Sequence, residues 1–289
     1  MTLTAEQVEI VAAVRAFVDR DVVPVASELE HADEFPASMV DTMRDMGLFG
    51  TTIPEEYGGL GLGLDTYALI VMELSRGWVT LSGILNGSFI AATMIRLHGT
   101  EEQRRTYLPR LASMELRSSF SMTEAHAGSD VQAIRTIAVR DGDDYVITGQ
   151  KMWVTNGWRS GIVMLLAKTD PAAEPAHTGM TGFIVEKEPE TSPRGLQIPM
   201  PGLPKLGYKG VESTELVFDG FRTPASSVLG GEDGVGQGFK YFMSGIEVGR
   251  VNGAARGVGV AQAALDDALA YAREREAFGK PIRRSGASR

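Results

Sequence analysis

Apolar positions along the chain follow three successive rhythms. From Thr4 onward they return every three or four residues, so that Val8, Val11, Val14, Phe17 and Val18 share one helical face. Thr4 with Gln7 three residues later forms the reciprocal capping pattern that starts such a helix. A second helical segment opens at Pro36, where Met39, Met43 and Met46 recur as flexible core filler. The glycine cluster IPEEYGGLGLGLD (53–65) interrupts the helices and leads into TYALIVMELS. Gly59, Gly61 and Gly63 are spaced G-x-G-x-G with no buried strand before them, which marks a loop rather than a dinucleotide fingerprint.

Between about 117 and 220 the period shortens to that of strands. IAVRDGDDYVITG (137–149) predicts a hairpin turning at Asp141-Gly142, with Ile137 and Val139 alternating before the turn and Tyr145 and Ile147 after it. GIVMLLAK (161–168), TGFIVEK (181–187) and TELVFD (214–219) continue as short runs at regular spacing, a small antiparallel barrel or sandwich. From about Gly238 the helical period returns, with Val251, Ala254, Val258, Ala261, Leu265, Ala268 and Ala272 on one stripe. There Gly253, Ala254 and Gly257 are small enough for another helix to approach. Helices, then strands, then helices predict an α+β multi-domain chain rather than an alternating α/β sheet. The expected parts are an N-terminal all-α domain (1–116), a central antiparallel β-barrel or sandwich (117–228) and an incomplete C-terminal helical bundle (229–289). After GKPI the tail RRSGASR is basic and aperiodic. The last stripe therefore has too few local partners, and the expectation is a truncated chain or a stripe covered by another subunit.

Composition removes several function classes. The 289 residues are more than one domain usually holds, and 43% hydrophobic content supports a substantial core. Acidic residues outnumber basic ones, 37 to 28, and no Lys/Arg stripe exists to neutralise phosphates, so a nucleic-acid partner is not expected. With no cysteine there is neither disulfide nor thiolate chemistry. His31, His98, His126 and His177 never stand at i, i+4, so no metal site is expected. The N-terminus lacks the pattern of a secretory signal, and the most apolar windows, 66–74 and 81–95, are too short or interrupted to span a bilayer. These features predict a soluble, cytoplasmic protein without a membrane span.

Two polar stretches carry the candidate chemistry. In FSMTEAHAGSD (120–130) the Thr123 hydroxyl and the amides of Met122 and Thr123 can meet a carbonyl or ring nitrogen. Gly128 permits close backbone approach, and Ser129 can donate to a phosphate. A turn stabilised by its own side-chain bonds explains the same residues. GQKMWVTNGW (149–158) ends an apolar strand with Trp153 and Thr155, which simple alternation puts on one face, an indole wall beside a hydroxyl. A flat heteroaromatic ring fits there, as does a core tryptophan beside a turn.

Taken together, these motifs resemble the acyl-CoA dehydrogenase family. MTEAHAGSD is similar to its T-E-P-x-x-G-S-D motif, GQKMWVTNG to G-x-K-x-W-I-T-N-G, and REREAFGKPI (273–282) to R-x-x-F-G-K/Q-x-I, with PEEYGGLG and KLGYKGVESTELVFD also in order. The resemblance implies FAD held between the central β-domain and the C-terminal helices. It assigns Phe120, Met122, Thr123, Gly128, Ser129, Trp153, Val154 and Thr155 to the flavin, with Ser129 also near the thioester arm. It assigns Thr169, Glu247 and Arg250 to the acyl-CoA, and Arg275, Ala277 and Phe278 to the FAD of a neighbouring subunit in a homodimer or homotetramer.

The implied reaction is α,β-dehydrogenation of an acyl-CoA, with proton removal by a carboxylate, hydride transfer to the flavin and electrons passed to an electron-transfer flavoprotein or other acceptor. The family's base lies either beyond residue 289 or at the position of Gly249. Glu247 is two residues away, about 200° round a helix. Ala125 and His126 replace the Pro-x pair, which brings the rigidity of that turn into question. As a complete protein the chain is expected to hold FAD weakly and to show little or no dehydrogenase activity. A non-catalytic acyl-CoA or flavin binder, or an oxygen-using flavoenzyme such as a monooxygenase or nitroalkane oxidase, are the alternatives on this scaffold.

Overall fold

A computed structural model describes residues 3–284. The first helix, α1 (Ala5–Phe17), begins at the expected capping box, in which the Gln7 amide donates to Thr4 Oγ1 at 3.2 Å and the Thr4 amide to Gln7 Oε1 at 3.0 Å. A π-helical turn (Val18–Val22) prolongs it, followed by α2 (Ala26–Ala32) and α3 (Ala37–Asp45). Val14, Phe17 and Val18 are buried as expected, whereas Val8 is exposed. Met39 and Met43 are core residues, with Met46 packed against them. The glycine cluster forms a loop into α4 (Leu64–Gly77), and at Gly59 a side chain would collide with the Ile53 carbonyl. Two further helices follow, α5 (Val79–His98) and α6 (Glu101–Ala112). By length and composition α5 is apolar enough to cross a membrane, but 78% of its most apolar window is buried inside the fold, as in a core helix.

The sheet comprises β1 (Ser118–Ser121), β2 (Ile137–Asp141), β3 (Asp144–Thr155), β4 (Ile162–Lys168), β5 (Met180–Glu186), β6 (Leu196–Gln197) and β7 (Ser213–Pro224). Its order is β1-β4-β2-β3-β7-β6, with β5 also on β4. Most pairings are antiparallel, but β1–β4 and β2–β4 are parallel, so the sheet is mixed. Parallel neighbours need distant segments, and no local pattern announces them. The continuous apolar run of β4 follows from its position. Ile162, Met164 and Leu166 join the helical core, while Val163, Leu165 and Ala167 fill the interior of the curled sheet.

Residue-level differences have simple causes. In the β2–β3 hairpin Asp141 pairs with Asp144, so Gly142 and Asp143 form the turn, one residue later than Asp141-Gly142. On β2 the inward residue is Ala138 opposite Ile147, which leaves Val139 at 56% exposure. A small inward residue gave the alternation its misleading phase.

The long helix α7 (Gly238–Glu274) ends in a hairpin, β8 (Glu276–Ala277) and β9 (Lys280–Pro281). Its packing face is not the expected stripe. Phe242, Gly245, Asn252, Ala255 and Gly259 are buried, whereas Ala254, Val258, Ala261 and Leu265 are exposed. Close approach occurs at Gly245, where a Cβ would sit 2.8 Å from Met94 Sδ, at Gly249, 3.0 Å from Ile90 Cδ1, and at Gly259, where it would collide with the Met72 carbonyl. Gly253 and Gly257 face open space. Glycine carries no hydrophobic signal, so the tightest contact of the helix is silent in its pattern. Replacing Gly257 with alanine should raise stability by up to about 1 kcal/mol through helix propensity. The same change at Gly259 should cost about 1–3 kcal/mol through overpacking. Urea unfolding of the two variants measures the difference, and the reverse order would contradict this packing face.

Candidate functional site

Beyond β1 the chain crosses the end of β3 and is fastened there. The Met152 amide donates to the Thr123 carbonyl at 2.9 Å, and Lys151 Nζ donates to the Met122 carbonyl and to Glu124 Oε1, each at 2.9 Å. Lys151 is 0% exposed and Glu124 5%. Glu124 also accepts from the Thr136 amide (3.0 Å) and hydroxyl (2.6 Å) through Oε1 and from the Arg135 amide (2.7 Å) through Oε2. Burial alone would raise the Glu124 pKa, but the Lys151 charge and these donors hold it below its ordinary value. Burial pushes the Lys151 ammonium down to about 8, against the opposing pull of Glu124.

The turn that begins at Glu124 is closed in both directions. Its amide donates to the Ala127 carbonyl (2.9 Å) and receives the Ala127 amide on its own carbonyl (3.1 Å), with Ala125 and His126 between. His126 Nε2 lies 3.2 Å from the Ala133 carbonyl and 3.6 Å from Glu124 Oε2. The pair that replaces Pro-x therefore keeps a closed turn.

At the other side of the fastening, Met152 and Trp153 bulge opposite Glu215 of β7, because Lys151 pairs with Leu216 and Val154 with Thr214. Trp153 takes a left-handed conformation, φ 60°, and is 56% exposed. Simple alternation therefore does not describe Trp153 and Thr155: the bulge sets the indole outward, buries Val154 and leaves Thr155 half-buried. Phe120 and Met122 are half-buried against the helical core, with the Phe120 ring 4.9 Å from that of Phe242 on α7. Loop and strand end thus lie side by side near the start of α7. Among the described residues no intramolecular hydrogen bond engages the hydroxyls of Thr123, Ser129 or Thr155. A Cβ at Gly128 would meet nothing within 4 Å.

The remaining candidates lie apart from this wall. Thr169 follows β4, where its hydroxyl is already shared with Thr181 Oγ1 (2.8 Å) and the Gly179 carbonyl (3.3 Å). Glu247 and Arg250 are exposed on α7, and Gly249 faces Ile90. Arg275 caps the C-terminus of α7, and Ala277 and Phe278 belong to the terminal hairpin. Arg275 stands 33 residues beyond Phe242, about 50 Å along the helix axis, so one chain does not join these residues to the Phe120 wall. Phe278 is 98% exposed.

Sequence reasoning gave Glu124 and Lys151 no role. The signal was a lysine inside the otherwise apolar strand KMWV, which demands a buried partner.

A helical layer, a curled sheet and a long returning helix meet near an exposed indole and hydroxyls that no intramolecular hydrogen bond among the described residues engages. The chain belongs to the acyl-CoA dehydrogenase family: that family's N-terminal, middle and C-terminal domain models match residues 4–115, 119–221 and 236–289. It is 41% identical over 274 residues to (2S)-methylsuccinyl-CoA dehydrogenase of Cereibacter sphaeroides, a match that covers 93% of this chain and 49% of that protein. It is 37% identical over 283 residues to an acyl-CoA dehydrogenase of Bacillus subtilis (strain 168), covering 98% of this chain and 72% of that one. Among solved structures, a glutaryl-coenzyme A dehydrogenase in complex with glutaryl-CoA superposes with a TM-score of 0.91 at 35% identity, covering 98% of this chain and 70% of that one. The chain thus spans about half the length of the first relative.

Removing either partner of the buried pair should be costly. Glu124→Gln or Lys151→Met is expected to lose about 3–5 kcal/mol in urea unfolding, and the double variant less than the sum of the two. Because folding lowers the Glu124 pKa, its contribution is present above the unfolded value, about 4.3, and is lost as pH falls through the lower folded one. The stability gap between wild type and Glu124→Gln should therefore narrow below about pH 4. A gap that is constant with pH would contradict this account.

Proposed function

We propose that this chain takes part in FAD-dependent α,β-dehydrogenation of an acyl-CoA thioester, supplying the flavin-binding wall and part of the thioester site. The observation that carries the reading is the fastening of the Thr123 carbonyl to the Met152 amide, which brings the loop of Thr123 to the strand end that carries the exposed Trp153 and Thr155. These residues fit an isoalloxazine: Thr123 and the Met122 amide would hold its pyrimidine edge, Trp153 would cover one face, and Thr155 would bond near its central ring. Phe120 and Val154 would back the wall, and the open position at Gly128 with Ser129 suits a pyrophosphate. FAD supplies the hydride acceptor when bound.

The acyl-CoA would lie along α7 by Glu247 and Arg250, and exclusion of water by the apolar wall would strengthen each donor to the thioester oxygen. Thr169 would contribute only by giving up its bond to Thr181. Arg275, Ala277 and Phe278 would reach the FAD of a second copy, which the 50 Å of helix between them and Phe242 favours, so a homodimer or homotetramer is part of the reading. An electron-transfer flavoprotein or another acceptor would take the electrons. The relatives' names specify a methylsuccinyl-CoA and a glutaryl-CoA, consistent with a CoA ester here.

A second reading, acyl-CoA or flavin binding without turnover, is favoured by Gly249, which brings no carboxylate to its position against Ile90. The two readings separate under anaerobic titration with an acyl-CoA. Bleaching of the yellow protein supports dehydrogenation, and binding without bleaching supports the second. For the cofactor, Thr155→Ala should weaken FAD binding about fivefold, the worth of one hydrogen bond, and Trp153→Ala should weaken it further. Equilibrium dialysis that finds FAD affinity unchanged in both variants would overturn the proposal.

A further inference from the structure

Three strand ends lie side by side under the helical layer. The Gly161 amide donates to the Arg117 carbonyl and the Lys187 amide to the Gly161 carbonyl, each at 2.9 Å, so residues 117, 161 and 187 form one row before β1, before β4 and after β5. The glycine between the two cations cedes its place to Leu116, whose Cδ1 lies 2.6 Å from where a Cβ would stand. A cavity of about 780 Å³ opens over this row, bounded by the α2–α3 loop, the end of α6 and the segment that follows β5. That is the size of a small-molecule site. None of the residues assigned above to the flavin or the acyl-CoA lines it.

Its charges are unevenly matched. Arg110 pairs with Glu115 at 2.8 Å, Glu186 accepts from the Tyr107 hydroxyl at 2.8 Å, and Arg159 holds Glu212 at 2.8 Å with Glu190 at 3.7 Å. Arg117 is left out. Its half-buried guanidinium lies 4.9 Å from the centre of the Phe35 ring, which Arg159 also approaches at 4.5 Å. Among the described residues no hydrogen bond or ion pair engages that side chain. A ring face attracts a cation but leaves the directional bonds of its five N–H donors unmade. Burial pulls the Arg117 pKa below the ordinary guanidinium value, the Arg159 charge adding to this and Glu212 opposing it.

Lys187 stands at the other end of the row. It is 8% exposed and donates from Nζ to the carbonyls of Trp158 (3.0 Å) and Glu188 (3.3 Å), which leaves one of its three donors free. Among the described residues no carboxylate lies within ion-pair distance of it. Burial pushes its pKa down to about 8, so it is charged at neutral pH. A buried ammonium with a spare donor beside a guanidinium with no partner calls for an anion.

The surroundings set the class of that anion. Glu188 and Glu190 are exposed at the rim, so a second negative charge on the ligand would be repelled. A single planar carboxylate matches the guanidinium fork. Ala37, Met114 and Leu116 line the same cavity and suit a hydrocarbon body.

We infer that this cavity is a binding site for a small organic monocarboxylate, whose carboxylate is held by Arg117 and Lys187 and whose chain lies on Met114 and Leu116. The site stands independently of the dehydrogenation reading, because the two share no residue.

The test titrates the full chain by calorimetry with hexanoate, with hexan-1-ol as the uncharged counterpart and inorganic phosphate as the more highly charged one. Hexanoate should bind with a Kd on the order of 1 mM, at least about tenfold more tightly than either control. Arg117→Gln should remove that preference by weakening hexanoate alone, and Arg117→Lys, which keeps the charge without the fork, should retain part of it. Absence of hexanoate binding, hexanol bound equally well, or phosphate bound more tightly would overturn the inference. So would an unchanged hexanoate affinity in Arg117→Gln, which would place the carboxylate elsewhere on the chain, the acyl site included. Should Arg117→Gln not fold, the wild-type order of the three probes and its partial loss in Arg117→Lys decide.

Discussion

The buried ion pair between Lys151 and Glu124 is the constraint from which the candidate site follows. Its two residues come from segments 27 positions apart. Lys151 also holds the Met122 carbonyl, and Glu124 also gathers the Arg135 and Thr136 donors. An apolar pair of equal volume could fill the space, and such replacements are often as stable. It would leave one carbonyl, two amides and a hydroxyl buried without partners. The pair thus fixes one register of the 122–136 loop on β3, and register decides whether Thr123 lies beside Trp153 or a residue away. Here a buried charge serves position more than stability.

A second coupling makes sheet and helices one body. β4 gives alternate side chains to two cores, so neither core forms without it. From its end a short hydroxyl relay runs onward: Thr169 to Thr181, and Thr181 Oγ1 to the Gly236 amide at the entry to α7. Below that entry Gly238 lies against Thr181 and Gly182 so closely that any side chain would collide. The direction in which α7 leaves the sheet is therefore set by backbone contact, and with it the approach of Phe242 to Phe120.

How much of this was legible depended on how far apart the cooperating residues stand. The capping box at Thr4 and Gln7 occupies four residues, and it formed as expected. Helices, strands and helices in that order were visible because a period needs only its own segment. The parallel β1–β4 pairing, the Trp153 bulge and the Lys151–Glu124 pair each require knowing which distant strand is the neighbour. The α7 face was misjudged for another reason. Hydrophobic periodicity detects large side chains, whereas this helix packs through Gly245, Gly249 and Gly259. The motifs of the site were readable as a set, while Glu124 and Lys151, which hold that set together, were passed over as charges without a task.

Length is itself a functional quantity in α7. Its packing residues end at Gly259, and over the following 15 residues to Glu274 Leu265, Leu269 and Tyr271 stand exposed. A helix unsupported on one side would serve poorly as a loose tether, but its end is not loose. The turn of the terminal hairpin places Phe278 and Gly279 both in the left-handed region, φ 55° and 72°, the geometry that keeps a two-residue hairpin tight. The Ile282 amide closes back on the Arg275 carbonyl at 2.8 Å. Positive φ at both turn residues is what a two-residue hairpin of this hand requires, so the pairing of β8 with β9 and the closure on Arg275 together fix where the end of α7 presents the exposed Phe278 ring.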